Sequence, residues 1–206
     1  MVGNLIIISS PSGGGKGTLI KEVRQTVPDL GYSVSFTTRE ARSGEQNGRE
    51  YFFVSADDFR ARAEKGNFLE YATVHGHFYG TSKSHVEGIM NEGKDVILEI
   101  DVQGAALVTA KMPYATTIFI LPPSYEVLRA RLTSRATEGM KDLAVRLRNS
   151  FDEVREYSKF RYVVINDDLA SASRRLASII IGERQQVNRQ TAEINSILHS
   201  FDISKL

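Results

Sequence analysis

Residues 9–18 read SSPSGGGKGT and follow the apolar run LIII at 5–8. Gly13, Gly14 and Gly15 stand together before a lone cation, Lys16. A glycine-rich turn between a buried strand and a helix aims its backbone N–H groups into one cavity. The helix N-terminus adds partial positive charge there and Lys16 adds a full one, which is the chemistry of a phosphate cradle. The usual spacing is G-x-x-x-x-G-K-[ST]. Gly15 and Lys16 fit it, Ser10 stands in place of the first glycine, and Gly17 occupies the hydroxyl position with Thr18 next. Such a loop does not by itself separate a kinase from a GTPase or an ATPase. A magnesium carboxylate normally follows at the end of a later strand. VILEID at 96–101 supplies Glu99 and Asp101, two residues apart and so on one strand face.

A second anion site is written into SFTTREARSGEQNGREYFF at 35–53, where Arg39 and Arg42 precede Tyr51. Arginine forks hold phosphate oxygens bidentately, and a tyrosine hydroxyl adds a neutral donor. FLEYATVHGHFYGTS at 68–82 adds Glu70, Tyr79 and Thr81. A carboxylate beside a phosphate site would repel the anion unless it faces donors on the ligand. Guanine presents N1–H and N2–H₂ side by side, and adenine has neither. The histidines do not suggest a metal site: His75 and His77 share a strand face, with no third ligand at suitable spacing.

These residues need a frame to hold them. LIIIS at 5–9, DVILEI at 95–100, TTIFIL at 116–121 and YVVIN at 162–166 are apolar at nearly every position, as strands buried on both faces are. Helical patterns lie near 16–27, 103–111, 124–134 and 140–158, and another starts near Ser171. The 140–158 pattern places Leu143, Leu147, Phe151 and Val154 on one face. The alternation predicts a doubly wound α/β core. Two stretches break it: 33–81 carries shorter strand-like pieces (SVSFTT, EYFFVS, FLEYATV), and 125–148 is dense in arginine. Both read as insertions. The tail, about 183–203, sets Ile194, Ile197, Leu198 and Phe201 at helical spacing, for packing on its own core or, less favoured, for a subunit contact.

The bulk numbers are those of a globular chain: 206 residues, 41% hydrophobic, 25% charged, net charge +1. That balance argues against a general nucleic-acid binder. The absence of cysteine excludes disulfides, thiolate zinc sites and a cysteine nucleophile. No secretory signal and no run near the ~20 apolar residues of a membrane helix is visible. The expectation is a soluble, cytoplasmic protein.

Along nearly its whole length the chain resembles bacterial-type guanylate kinases, through PSGGGKGT, SFTTREARSGEQNGREYFF, FLEYATVHGHFYGTS, LEIDVQG, RLTSRATE with RLRNS, and VVINDDL. The resemblance implies a P-loop parallel-sheet core (1–32, 82–124, 159–206), a GMP-binding insertion (33–81) and a small helical lid (125–158). It implies transfer of the γ-phosphoryl group of ATP to GMP, and to dGMP as well, with magnesium. Ser12, Gly13, Gly14, Gly15, Lys16, Gly17 and Thr18 would hold the ATP phosphates. Arg131, Arg135 and Arg146 match the lid arginines, and Asn166 and Asp167 lie in the adenine-side loop. Arg39, Arg42, Tyr51 and Tyr79 would hold the GMP phosphate. Ser35, Glu70 and Thr81 would read guanine with Glu99 close by, and Asp101 would lie near magnesium and GMP. Lys16, Arg39 and the three lid arginines would carry the catalysis. Gly17 leaves the loop without its usual magnesium hydroxyl. Closure of both insertions would exclude water, with Gly44, Gly48, Gly76, Gly80 and Gly139 near the hinges. The partners expected are ATP and GMP, without nucleic acid or membrane, in a monomer or a homo-oligomer formed through the C-terminal helix. A non-catalytic phosphopeptide-binding scaffold and a kinase for another monophosphate are the alternatives.

Overall fold

The computed structural model describes residues 2–74, 76–134 and 140–201. Five parallel strands form the main sheet in the order β2-β7-β1-β8-β9. They are β1 (Leu5–Ser9), β2 (Leu30–Tyr32), β7 (Asp95–Glu99), β8 (Thr116–Leu121) and β9 (Tyr162–Ile165). Register is set by pairs such as Ile6 with Ile97 and Ile8 with Ile118. Alternate residues of the buried strands feed two cores. Ile6, Ile8, Ile97 and Ile118 pack against α1 (Lys16–Thr26) and α7 (Leu169–Arg184) through Leu19, Val23, Leu176 and Ile180. Leu5, Ile7, Val96 and Leu98 pack on the opposite face against α3 (Lys83–Asn91) and α4 (Val102–Lys111) through Val86, Met90 and Val108. Burial on both faces explains why these strands read as continuous apolar runs.

A second, four-stranded sheet has the order β4-β3-β6-β5. Its strands are β3 (Phe36–Thr37), β4 (Phe52–Phe53), β5 (Phe68–Val74) and β6 (His77–Ser82). Helix α2 (Ala56–Glu64) covers it by inserting Phe59, whose ring stacks on Phe68 at 4.6 Å and Phe78 at 5.3 Å. Gly80, expected at a hinge, instead lies inside β6: a Cβ there would come within 2.9 Å of Phe59 Cζ. Gly44, Gly48 and Gly76 do take positive φ in turns. The remaining helices are α5 (Tyr125–Ser134), α6 (Met140–Arg155) and α8 (Thr191–Ser200), with short 3₁₀ turns at 156–159 and 187–189.

The α/β alternation appears as expected, with additions. Strand β2 is a fifth parallel strand, three residues long with Gly31 at its centre, too short for a periodic signal. Helices α2 and α3 were not anticipated either; each presents only one or two buried residues. Helix α7 begins at Leu169, two residues before the expected Ser171, because Asp168 caps it by accepting from Ser171 N–H. Phe151 of the 140–158 stripe is exposed and meets the Tyr125 ring at 5.2 Å. The tail departs more: α7 ends at Arg184, and Ile197 and Leu198 on α8 and Phe201 at its C-cap are 57%, 60% and 78% exposed. Packing of that stripe on the chain's own core is therefore not what occurs. Among the described residues no helix is long and apolar enough to cross a membrane.

Candidate active site

The loop joining β1 to α1 floors a cavity of about 580 Å³ at the carboxyl end of the main sheet. Ser12 to Gly17 line it. Gly15 starts α1 with φ +85°, which glycine adopts without strain, and a Cβ there would overlap the Asn166 amide nitrogen. Lys16 Nζ donates to the Ile100 carbonyl at 2.9 Å, so its ammonium sits where β7 ends. Thr18 is exposed and does not line the cavity.

Two residues expected at the nucleotide, Asn166 and Arg131, brace this loop. The buried Asn166 amide donates to the Gly14 carbonyl at 2.9 Å. Arg131 donates to the same carbonyl at 3.3 Å and to Asn166 O at 3.1 Å. Neither lines the cavity. Arg135 and Gly139, expected in the lid, and His75 lie outside the described residues.

The carboxylates arrive from β7. Glu99 accepts from Tyr32 OH at 3.0 Å, and its other oxygen would lie 3.4 Å from a Cβ at Gly17. Burial, then the Glu99 charge, push the Tyr32 phenol well above its ordinary pKa. Asp101 caps α4 by accepting from Gly104 N–H at 2.8 Å. Among the described residues no group of three or more His, Cys, Asp or Glu could hold a metal ion. Two carboxylates beside a hydroxyl-less loop position suit a hard cation that arrives on phosphate oxygens and keeps its waters.

The second sheet supplies the facing wall. A bulge in β5 breaks the alternation between Phe68 and Glu70. Phe68, Leu69 and Glu70 are consequently all buried, and the Glu70 carboxylate faces the cavity. It accepts from Thr81 Oγ1 at 2.6 Å. Burial, reinforced by the Asp101 charge, raises the Glu70 pKa to about 7 against the pull of Thr81 and Lys111. Arg39, Arg42, Tyr51, Tyr79 and Ser35 line the same wall. Arg39 holds Glu45 through both carboxylate oxygens, at 3.0 and 2.9 Å, and lies over the Tyr51 ring at 5.4 Å. Burial works against the Arg39 charge, but Glu45 outweighs it and raises the guanidinium pKa. The Tyr51 phenol, buried near Glu99 and 5.8 Å from the Tyr79 ring, is pushed up to about 12. Helix α6 contributes Val145, Arg146 and Glu153.

A phosphate loop thus faces a buried acid and a cluster of arginines across one cavity. A family model described as guanylate kinase matches residues 2–183. The chain belongs to the guanylate kinase family. A guanylate kinase of Thermotoga maritima is 45% identical over 94% of each chain. One from Dechloromonas aromatica is 47% identical over 87% of this chain and 89% of its own. The crystal structure of guanylate kinase from Anaplasma phagocytophilum superposes with a TM-score of 0.77 at 31% identity, covering 91% of this chain and 89% of that one. The family match takes in both sheets and stops before α8.

Against the family pattern, three residues of this site carry no signal in the sequence. Glu45 is the present partner of Arg39, yet an acid six residues from an arginine reads as ordinary surface charge. Tyr32 reaches Glu99 across 67 positions and Glu153 reaches Ser12 across 141, distances that only the fold closes.

Proposed function

We infer that this chain transfers the γ-phosphoryl group of ATP to GMP, releasing ADP and GDP. One observation carries the reading: a single cavity joins the Lys16 loop to the buried Glu70–Thr81 pair. The loop suits a donor triphosphate, with Lys16 leaving the Ile100 carbonyl for a phosphate oxygen. Glu70, ionised, accepts from guanine N1–H and N2–H₂ while Thr81 orients it. Arg39 and Arg42, with Tyr51 and Tyr79, take the acceptor phosphate, which displaces Glu45 from Arg39 so that one anion replaces another. The attacking phosphate oxygen is already anionic at neutral pH, so no general base is required. Catalysis then rests on alignment and on cations placed where charge spreads in the transition state. Lys16, Arg39 and Arg146 supply these from this chain; Arg131 acts by bracing the loop, and Arg135 is assigned with the lid. Segment 33–81 is taken as the GMP-binding insertion and 125–158 as the lid.

Kinases of this family are ATP-dependent and generally need a divalent metal ion. We take it to be magnesium, near Asp101 and Glu99, where it would neutralise phosphate charge. The proposed location is the cytoplasm, which holds the nucleotide pools. Of a monomer and a homo-oligomer formed through the C-terminal helix, the exposed stripe of α8 favours the second, which sedimentation of the whole chain tests.

The deciding experiment is a coupled assay of ADP release with ATP, magnesium and GMP, dGMP, AMP or UMP in turn. GMP and dGMP should support turnover, AMP and UMP should not, and EDTA should abolish it. A folded chain without GMP-dependent ADP release would point to the non-catalytic scaffold.

A further inference from the structure

Among the described residues, helix α6 reaches the phosphate loop at Ser12 and holds it twice. Arg146 donates to Ser12 Oγ at 3.1 and 3.3 Å, and Ser12 N–H donates to Glu153 Oε2 at 2.8 Å. Both side chains come from α6, seven residues apart and therefore on one face of that helix. Ser12 lies before α1, so its N–H has no partner within that helix, and a carboxylate is the strongest acceptor a side chain can offer it. The two bonds differ in sign: a cation grips the hydroxyl and an anion grips the amide. A carboxylate lining a polyphosphate cavity would repel the ligand by itself; beside Arg146 it forms a pair of zero net charge.

We propose that Glu153 is a positioning residue that latches the lid to the phosphate loop and fixes where Arg146 stands over the cavity. The proposal rests on the phosphotransferase reading and deepens it. Glu153 acts through Ser12 and α6, with no contact to the reacting atoms. Its loss therefore frees the lid, lowers the fraction of closed complexes and reduces kcat. The acceptor wall belongs to the second sheet and is not touched by the latch, so KM for GMP stays nearly constant.

The test pairs kinetics with exchange at one amide. Glu153→Ala in the whole chain should lower kcat about tenfold, the loss expected for one charge-assisted hydrogen bond. KM for GMP should change less than about twofold on the same grounds. In the ligand-free chain, NMR should find the Ser12 amide exchanging about tenfold faster than in the parent, for the same bond lost. Glu153→Gln keeps an acceptor oxygen and should recover most of both losses. Glu153→Asp keeps the charge but falls a methylene short and should behave like Ala. Unchanged kcat and Ser12 exchange in Glu153→Ala would overturn the latch, as would equal damage from Gln and Ala. A parent chain without GMP-dependent ADP release would sink the phosphotransferase reading on its own, while Ser12 exchange would still decide the latch.

Discussion

Glu70 is placed under opposing demands. The proposed guanine recognition needs its carboxylate ionised, whereas burial and the nearby Asp101 charge raise its pKa to about 7. A carboxyl whose folded pKa lies above its unfolded value holds its proton more tightly in the folded state. Its ionisation therefore costs stability, increasingly as pH climbs from about 4.5 to about 7, and fully above that. Two outcomes follow at this one residue. KM for GMP should rise as pH falls below about 7, and Glu70→Gln should bind GMP weakly with that dependence removed. The same variant without nucleotide should melt a few degrees higher than the parent at pH 8, the difference closing near pH 4, as calorimetry would measure. At the opposite wall, Lys16→Ala should lose mainly kcat, by about 100-fold or more, since its charge matters most in the transition state; steady-state kinetics would check this. That Lys16, Arg39, Arg42 and Glu70 come together at one cavity was legible because each sits in a short motif whose chemistry is local. Glu45, Tyr32 and Glu153 were not, because each matters through a partner that only the folded chain brings near.

At the scale of elements, the buried parallel strands were readable because burial on both faces leaves an unbroken apolar run. β2, α2 and α3 were invisible for the complementary reason. β2 is three half-buried residues around a glycine, and α2 buries one residue, Phe59. The bulge in β5 likewise leaves no periodic trace, although it is what buries Glu70 beside Phe68 and Leu69. The tail misled for a different reason: its stripe is amphipathic, yet among the described residues Ile197, Leu198 and Phe201 stay exposed. Phe59, 1% exposed, is the buried side chain that anchors α2 on the second sheet. Phe59→Ala should cost about 3–5 kcal/mol, as truncation of a buried aromatic does. Denaturant titration would measure that loss. KM for GMP should rise more than KM for ATP, because the damage falls on the acceptor wall.

Across the whole molecule, the main sheet carries the donor loop at its carboxyl end, and the second sheet carries a cationic wall that closes the same cavity. Bringing two polyanions together is the central difficulty, and the chain meets it with cations on both sides. Because the walls belong to different sheets, their damage should separate: Arg42→Ala should weaken GMP binding about tenfold or more, the loss of a charge-assisted phosphate contact, and leave ATP binding nearly intact by calorimetric titration. Most direct of all is a crystal structure with GMP and a non-transferable ATP analogue. Guanine should lie against Glu70 and Thr81, with the GMP phosphate between Arg39 and Arg42 and directed at the terminal phosphate beside Lys16. A monophosphate bound away from the second sheet, or its base turned from Glu70, would contradict that arrangement.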